Sequence, residues 1–146
     1  MRRREFLLLP ALALPLHAGA RPNEHVSTTD PLIYSFTRGA PVIAGRVRLE
    51  LPAIAETGYS VPVAISMDSP MTQADHVRAL RLIAEKNPMR DVAVFWLGPH
   101  SGRAQVSSRI RLNGTQRVVA IAELSDGTFW SAAAHVEVRE AACTEG

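Results

Sequence analysis

The 146 residues include one cysteine, no charge excess beyond the first 20 positions, no internal repeat and no second apolar run long enough to cross a bilayer. Each absence excludes a class of protein. A single cysteine cannot close an intrachain disulfide, so no cystine framework holds the chain together. Residues 21–146 carry thirteen basic and thirteen acidic side chains. A charge-balanced body has no electrostatic reason to bind nucleic acid or anionic lipid non-specifically, so neither nucleic acid nor a membrane is an expected partner. No nucleophile, base and orienting group stand together in the sequence either. The expectation is a non-enzymatic subunit with no resident cofactor.

What is present begins with the leader. Arg2 to Glu5 form a charged head, Phe6 to Leu16 an apolar run, and Ala18-Gly19-Ala20 a small-residue cleavage signal. Within it, Arg3-Arg4-Glu5-Phe6-Leu7 fits the twin-arginine pattern, which carries folded proteins to the bacterial periplasm. Residues 1–20 are thus read as a twin-arginine export signal and the periplasm as the destination.

The rest divides by period. Asp30-Pro31 followed by Leu32, Ile33 and Phe36, with Gly39 at the end, predicts a short capped helix within an N-terminal segment, 21–40. From there the period is two. Val47/Leu49/Leu51 and Val61/Val63/Ile65/Met67 alternate with outward positions, Pro62 implying an edge or a bulge. Further strands are predicted at His76–Glu85, Val92–Leu97, Arg103–Leu112, Arg117–Leu124 and Thr128–Arg139, seven in all. Turn signals separate them, and Asn113-Gly114 and Asp126-Gly127 both predict type I′ hairpins. The fold class expected is all-β: an immunoglobulin-like antiparallel β-sandwich over 41–139 with a short N-terminal helix and a flexible C-terminal tail.

Cys143 lies in that tail, 140–146, past the last alternation of Val136 and Val138. Buried cysteines usually act as small hydrophobes, but this one sits where chains fray. In an oxidising compartment with no second thiol it must be free, modified or joined to another molecule. A fully extended tail from Arg139 would hold the sulfur about 13 to 14 Å beyond the sandwich. Such an arm needs no catalytic dyad of its own, because a partner enzyme can supply the base or the metal.

The chain resembles the SoxY family of sulfur carriers. The resemblance is carried by Thr37-Arg38-Gly39-Ala40, by Ile54-Ala55-Glu56-Thr57-Gly58 leading into Val61-Pro62-Val63, and by Asp68-Ser69-Pro70-Met71-Thr72 with Asp75-His76-Val77. It continues through Glu85-Lys86-Asn87-Pro88, Ser101-Gly102-Arg103-Ala104 and Arg109-Ile110-Arg111-Leu112, and ends with the run from Gln116 to Gly127. The resemblance implies an immunoglobulin-like sandwich that pairs with a SoxZ-like subunit as a heterodimer. It implies Cys143 as the covalent sulfur attachment site. A haem-containing enzyme of the same system would conjugate thiosulfate there, and a hydrolase would release sulfate. The tail departs from the family's Gly-Gly-Cys-Gly-Gly ending: here it reads Ala141-Ala142-Cys143-Thr144-Glu145-Gly146. Bulk at these positions restricts φ. Glu140 and Glu145 surround the thiol with charge that disfavours the thiolate. The alternative reading is accordingly a degenerate SoxY-like binding or regulatory module that pairs with SoxZ without efficient conjugation.

Other constellations carry less. His25, His76, His100 and His135 with Cys143 invite comparison with the iron site of superoxide reductases, a remote third reading, but Ser69 stands where a ligand histidine is expected and no Cys-Asn-x-His loop follows. No metal site is predicted. Met67 and Met71 are read as core, Trp96 and Trp130 as sandwich or interface residues, Arg109 and Arg111 as one strand face, and Asp68, Asp75 and His76 as structural.

Overall fold

The computed structural model describes residues 25–142; the leader and Cys143 lie outside them. Helix α1 (Pro31–Thr37) precedes nine strands: β1 (Val42–Ala44), β2 (Val47–Glu50), β3 (Ile54–Thr57), β4 (Val61–Met67), β5 (Val77–Ala84), β6 (Asp91–Trp96), β7 (Ala104–Ile110), β8 (Gln116–Leu124) and β9 (Phe129–Glu140). The larger sheet runs β1-β9-β8-β5-β6, with β3 also on β9; the smaller runs β2-β4-β7. The all-β sandwich is as expected. No helix among the described residues is long and apolar enough to cross a membrane.

Burial explains the sequence pattern strand by strand. In β4, Val61, Val63, Ile65 and Met67 face the interior while the intervening residues face out. Strand β8 instead buries both faces, from Val118 through Ala122. One face, beside Leu80 and Leu82 of β5, closes the sandwich against Ile65 of β4. The other lies beneath α1, where Val119, Ile121, Ile83, Phe129 and Ala133 pack with Ile33 and Val26. A continuous apolar run is what two-sided burial requires. Pro62 sits beyond the reach of β2, which pairs only with residues 64 to 67 of β4, so it occupies an edge position on one side.

The structure corrects three expectations. Two strands escaped prediction: β1 and β3, short segments that pair with β9 in parallel. Asn113-Gly114 is no hairpin, because β7 pairs with β4 in one sheet and β8 with β5 and β9 in the other. Asp126-Gly127 does join the antiparallel pair β8 and β9, yet only Gly127 has positive φ, so the turn is not type I′. The Asp126 carboxylate there accepts from the Thr128 N–H (2.9 Å) and hydroxyl (2.7 Å), which hold its pKa below the usual value. Helix α1 ends as expected, capped by Asp30 and followed by Gly39 at φ 80°, with Arg38 before it also left-handed at 54°. The Arg38 N–H still bonds the Tyr34 carbonyl at 2.8 Å, an αL cap on a residue that favours it less than glycine does.

Asp30 joins the helix to the sheet. Its Oδ1 accepts from the Leu32 N–H at 3.0 Å, capping α1, and its Oδ2 meets the Arg90 guanidinium at 2.5 Å. The Arg90 hydrogen bond is the main cause holding the Asp30 carboxyl below its ordinary value of 3.8. The native state then binds fewer protons than the unfolded chain. The pair stabilises the fold above about pH 4, and that part is lost as pH falls through the depressed native value. Asp30→Asn keeps a capping side chain but loses the charge. Urea denaturation is expected to show it less stable than the parent by about 1 kcal/mol or less at neutral pH, with the difference vanishing in strong acid.

Candidate functional site

The family resemblance directs attention to the end of β9, where the chain leaves the sandwich toward Cys143. Thr57 of β3 pairs with Glu140, and the next residue, Gly58, donates its N–H to the Glu140 carbonyl at 2.7 Å. Gly58 in turn accepts from the Leu112 N–H at 2.8 Å, and the Leu112 carbonyl accepts from the Ala142 N–H at 3.2 Å. Leu112 and Ala142 are fully buried. Three separate segments thus close a collar of main-chain hydrogen bonds around the last residue before the cysteine.

Gly58 is required here by contact and not by φ. A Cβ on it would lie 2.0 Å from the Leu112 carbonyl oxygen and 3.0 Å from the Ala142 nitrogen. The sequence marks Thr57-Gly58 only as a turn, so the close approach of two distant segments escaped it. Cys143 is next in sequence and lies outside the described residues. The tether assumed from Arg139 onward is accordingly shorter: Glu140 is still β9, and Ala142 is held.

Beside Ala142 opens a cavity of about 190 Å³ lined by Asn87, Pro88, Met89, Arg111, Asn113 and Ala142 itself. A polar network shapes its floor. The Asn87 Oδ1 accepts from the Asn113 N–H and from Gln116 Nε2, both at 2.9 Å, and its Nδ2 donates to the Arg111 carbonyl at 2.8 Å. Gln116, 1% exposed, spends its remaining capacity on the Lys86 N–H and the Gly114 carbonyl. A buried amide so fully satisfied adds rigidity without an unpaired-group penalty.

This end also carries cations. The Arg111 guanidinium stands 5.8 Å from the Tyr59 ring, and Arg109 donates to the Ser60 hydroxyl and carbonyl. Arg139 pairs with Glu56 at 3.2 Å. The sequence places acids around residue 143; the fold sets Arg111 at the cavity that Ala142 also lines, and no signal in the sequence links those two positions.

Other candidate residues lie elsewhere and stand apart. Asp68 pairs with Arg48, the His76 Nδ1 contacts the Thr72 carbonyl at 2.9 Å, and the Thr72 hydroxyl contacts the Asp75 backbone. Met67 and Met71 are core. Trp130 packs against the core with Arg46 4.9 Å above its ring, whereas Trp96 is 74% exposed. Among the described residues no three His, Cys, Asp or Glu side chains gather as a metal site would need.

The sequence profile of the sulfur oxidation protein SoxY matches residues 34–143. No curated protein matches the chain. Among solved structures, the sulfur carrier protein SoxY from Chlorobium limicola f thiosulfatophilum superposes with a TM-score of 0.63 at 24% identity, covering 75% of this chain and 94% of that one. A superoxide reductase (neelaredoxin) from Ignicoccus hospitalis gives 0.57 at 18% identity over 64% and 80% of the two chains. A putative superoxide reductase from Thermotoga maritima gives 0.57 at 17% over 72% and 91%. These likenesses are of fold.

Gly58→Ala forces the collar apart. It is expected to lower stability by about 1 to 3 kcal/mol in urea denaturation and to speed amide exchange at Ala142. An unchanged exchange rate at Ala142 would show that the collar does not hold the chain.

Proposed function

The chain belongs to the SoxY family of sulfur oxidation proteins, and on that premise we propose that it is a periplasmic covalent sulfur carrier whose attachment site is Cys143. One observation carries the reading: the collar of Gly58 and Leu112 ends on Ala142, so the rigid body delivers the chain to the lone cysteine and stops. The family match likewise extends to residue 143. The twin-arginine leader supports export of the folded protein, paired with a SoxZ-like subunit.

The chemistry asks little of this chain. In the loading step the Cys143 sulfur bonds to the outer sulfur of thiosulfate, the thiol proton is released, and two electrons pass, one at a time, through the haem-containing conjugating enzyme to its electron acceptor. In the unloading step water cleaves the bond to the sulfonate group, sulfate leaves, and a persulfide remains on the cysteine. The carrier's part is to present the sulfur within reach of each partner. Arg111, beside the cavity that adjoins Ala142, favours the anionic forms of the cargo.

The experiment is reconstitution with the SoxZ-like subunit, the haem enzyme and thiosulfate, read by intact mass. Wild type is expected to gain one reductant-sensitive thiosulfonate and Cys143→Ser none. Arg111→Ala is expected to slow loading about two- to tenfold, an effect that shrinks as salt is raised. No adduct on Cys143, beside a conventional SoxY that reacts, overturns the carrier reading in favour of a binding module.

A further inference from the structure

The chain contains three asparagines, Asn23, Asn87 and Asn113, and only the last precedes a glycine. An asparagine side chain is open to attack by the backbone nitrogen of the residue that follows it. Glycine puts the least bulk in the way of that attack, whereas the proline after Asn87 has no N–H with which to make it. Asn113-Gly114 forms no hairpin, and carrying sulfur gives it no task.

The peptide groups on either side of the dipeptide are held, and the one between them is not. The Asn113 N–H donates to the Asn87 Oδ1 at 2.9 Å, and the Gly114 carbonyl accepts from Gln116 Nε2 at 3.1 Å. Among the described residues, neither the Gly114 N–H nor the Asn113 side-chain amide has a hydrogen-bond partner. Gly114 has a φ of 90° and open space where a Cβ would stand, so nothing crowds that side of the peptide. Asp126-Gly127 makes the contrast. The Gly127 N–H is bonded to the Leu124 carbonyl at 3.0 Å, and the Asp126 carboxylate accepts from the Thr128 N–H and hydroxyl, which keep it ionised and a poor electrophile.

We propose that Asn113 is a site of spontaneous deamidation that installs a carboxylate in the cavity beside Ala142. The Gly114 nitrogen bonds to the Asn113 Cγ, the Cγ–Nδ2 bond breaks, and the Gly114 proton leaves with the side-chain nitrogen as ammonia. Water then opens the cyclic imide. Attack at Cγ gives aspartate, and attack at the main-chain carbonyl carbon gives isoaspartate; no oxidant or reductant takes part. Either product sets a negative charge at the wall that residue 113 shares with Arg111 and Ala142. There it attracts the Arg111 guanidinium and opposes an anionic cargo. Isoaspartate also adds a carbon to the main chain between the Asn87 and Gln116 anchors. The modification itself stands on the geometry of residues 113 and 114; its effect on loading rests on the carrier reading.

The first test keeps the Cys143→Ser protein, in which sulfur chemistry plays no part, in warm, mildly alkaline water labelled with heavy oxygen, and maps its peptides by mass. The Asn113 peptide is expected to exchange its amide for a labelled carboxylate at a rate within about tenfold of that in the urea-unfolded chain, while the Asn87 peptide stays unchanged. No conversion at Asn113, or conversion slowed beyond that margin by the fold, overturns the site. The second test loads Cys143 with the SoxZ-like subunit, the haem enzyme and thiosulfate. Asn113→Asp is expected to load about two- to tenfold more slowly than the parent, less so as salt is raised, and Asn113→Gln at the parental rate. In an Arg111→Ala background Asn113→Asp is expected to change nothing further. Circular dichroism checks that each variant is folded. Parental loading by Asn113→Asp, or equal slowing by Asn113→Gln, overturns the electrostatic effect on the cavity. Deamidation at Asn113 in a chain whose unmodified form never loads counts against the carrier reading alone.

Discussion

The rest of the molecule depends on β9 being hydrogen-bonded along both edges. Its antiparallel partner β8 runs from Gln116 opposite Val136 to Glu123 opposite Phe129. Its other edge is shared by two parallel strands, β1 against Phe129–Ser131 and β3 against Glu137–Glu140. Parallel neighbours cannot be made by tight turns; they need chain from elsewhere in the fold. Residues 42 to 57 therefore cross from β1 through β2 in the opposite sheet and back to β3. That crossing ties the two sheets together and keeps the C-terminal strand from peeling away.

The two ends of the larger sheet consequently differ in kind. At one, three segments close on Ala142 and leave a small cavity with a fully satisfied amide network below it. At the other, α1 stops at Arg38 and leaves exposed aromatic surface around unoccupied space. Main-chain hydrogen bonds between distant segments are concentrated at the end where β9 reaches Ala142. Unsatisfied edge and apolar surface are concentrated where nothing in this chain requires them.

How much of this is legible in the sequence follows from range. Alternation and turn residues are local, so β4, β8 and β9 can be read from Val61–Met67 and from the runs around Val119 and Val136, whereas in β5 the spacing of Val77, Leu80 and Ile83 imitates a helix. The short parallel strands β1 and β3 have three and four residues and are defined by a partner some 85 positions away, which no local period reports. Asn113-Gly114 misleads for the same reason: the dipeptide specifies a turn but not which sheet receives the chain after it. The cysteine could be singled out from its isolation and the family resemblance. The collar could not, because its glycine is needed for a contact with Leu112, and a contact has no signature at one position.

That collar also gives the unusual tail a physical sense. Glycines before a carrier cysteine supply freedom where the chain is loose, but here Ala142 is fully buried and its N–H is bonded to Leu112. At a position already immobile, a methyl group fills space that glycine would leave empty, and the lower backbone entropy of alanine in the unfolded chain favours the folded state. Alanine at 142 therefore costs no motion that the collar had not already removed. Under the proposed carrier role the tether is short: a partner's cleft would have to come close to the Gly58 and Leu112 end, its rim accommodating Tyr59, Met89 and Arg111, and selectivity among partners would fall to this surface as much as to the tail itself.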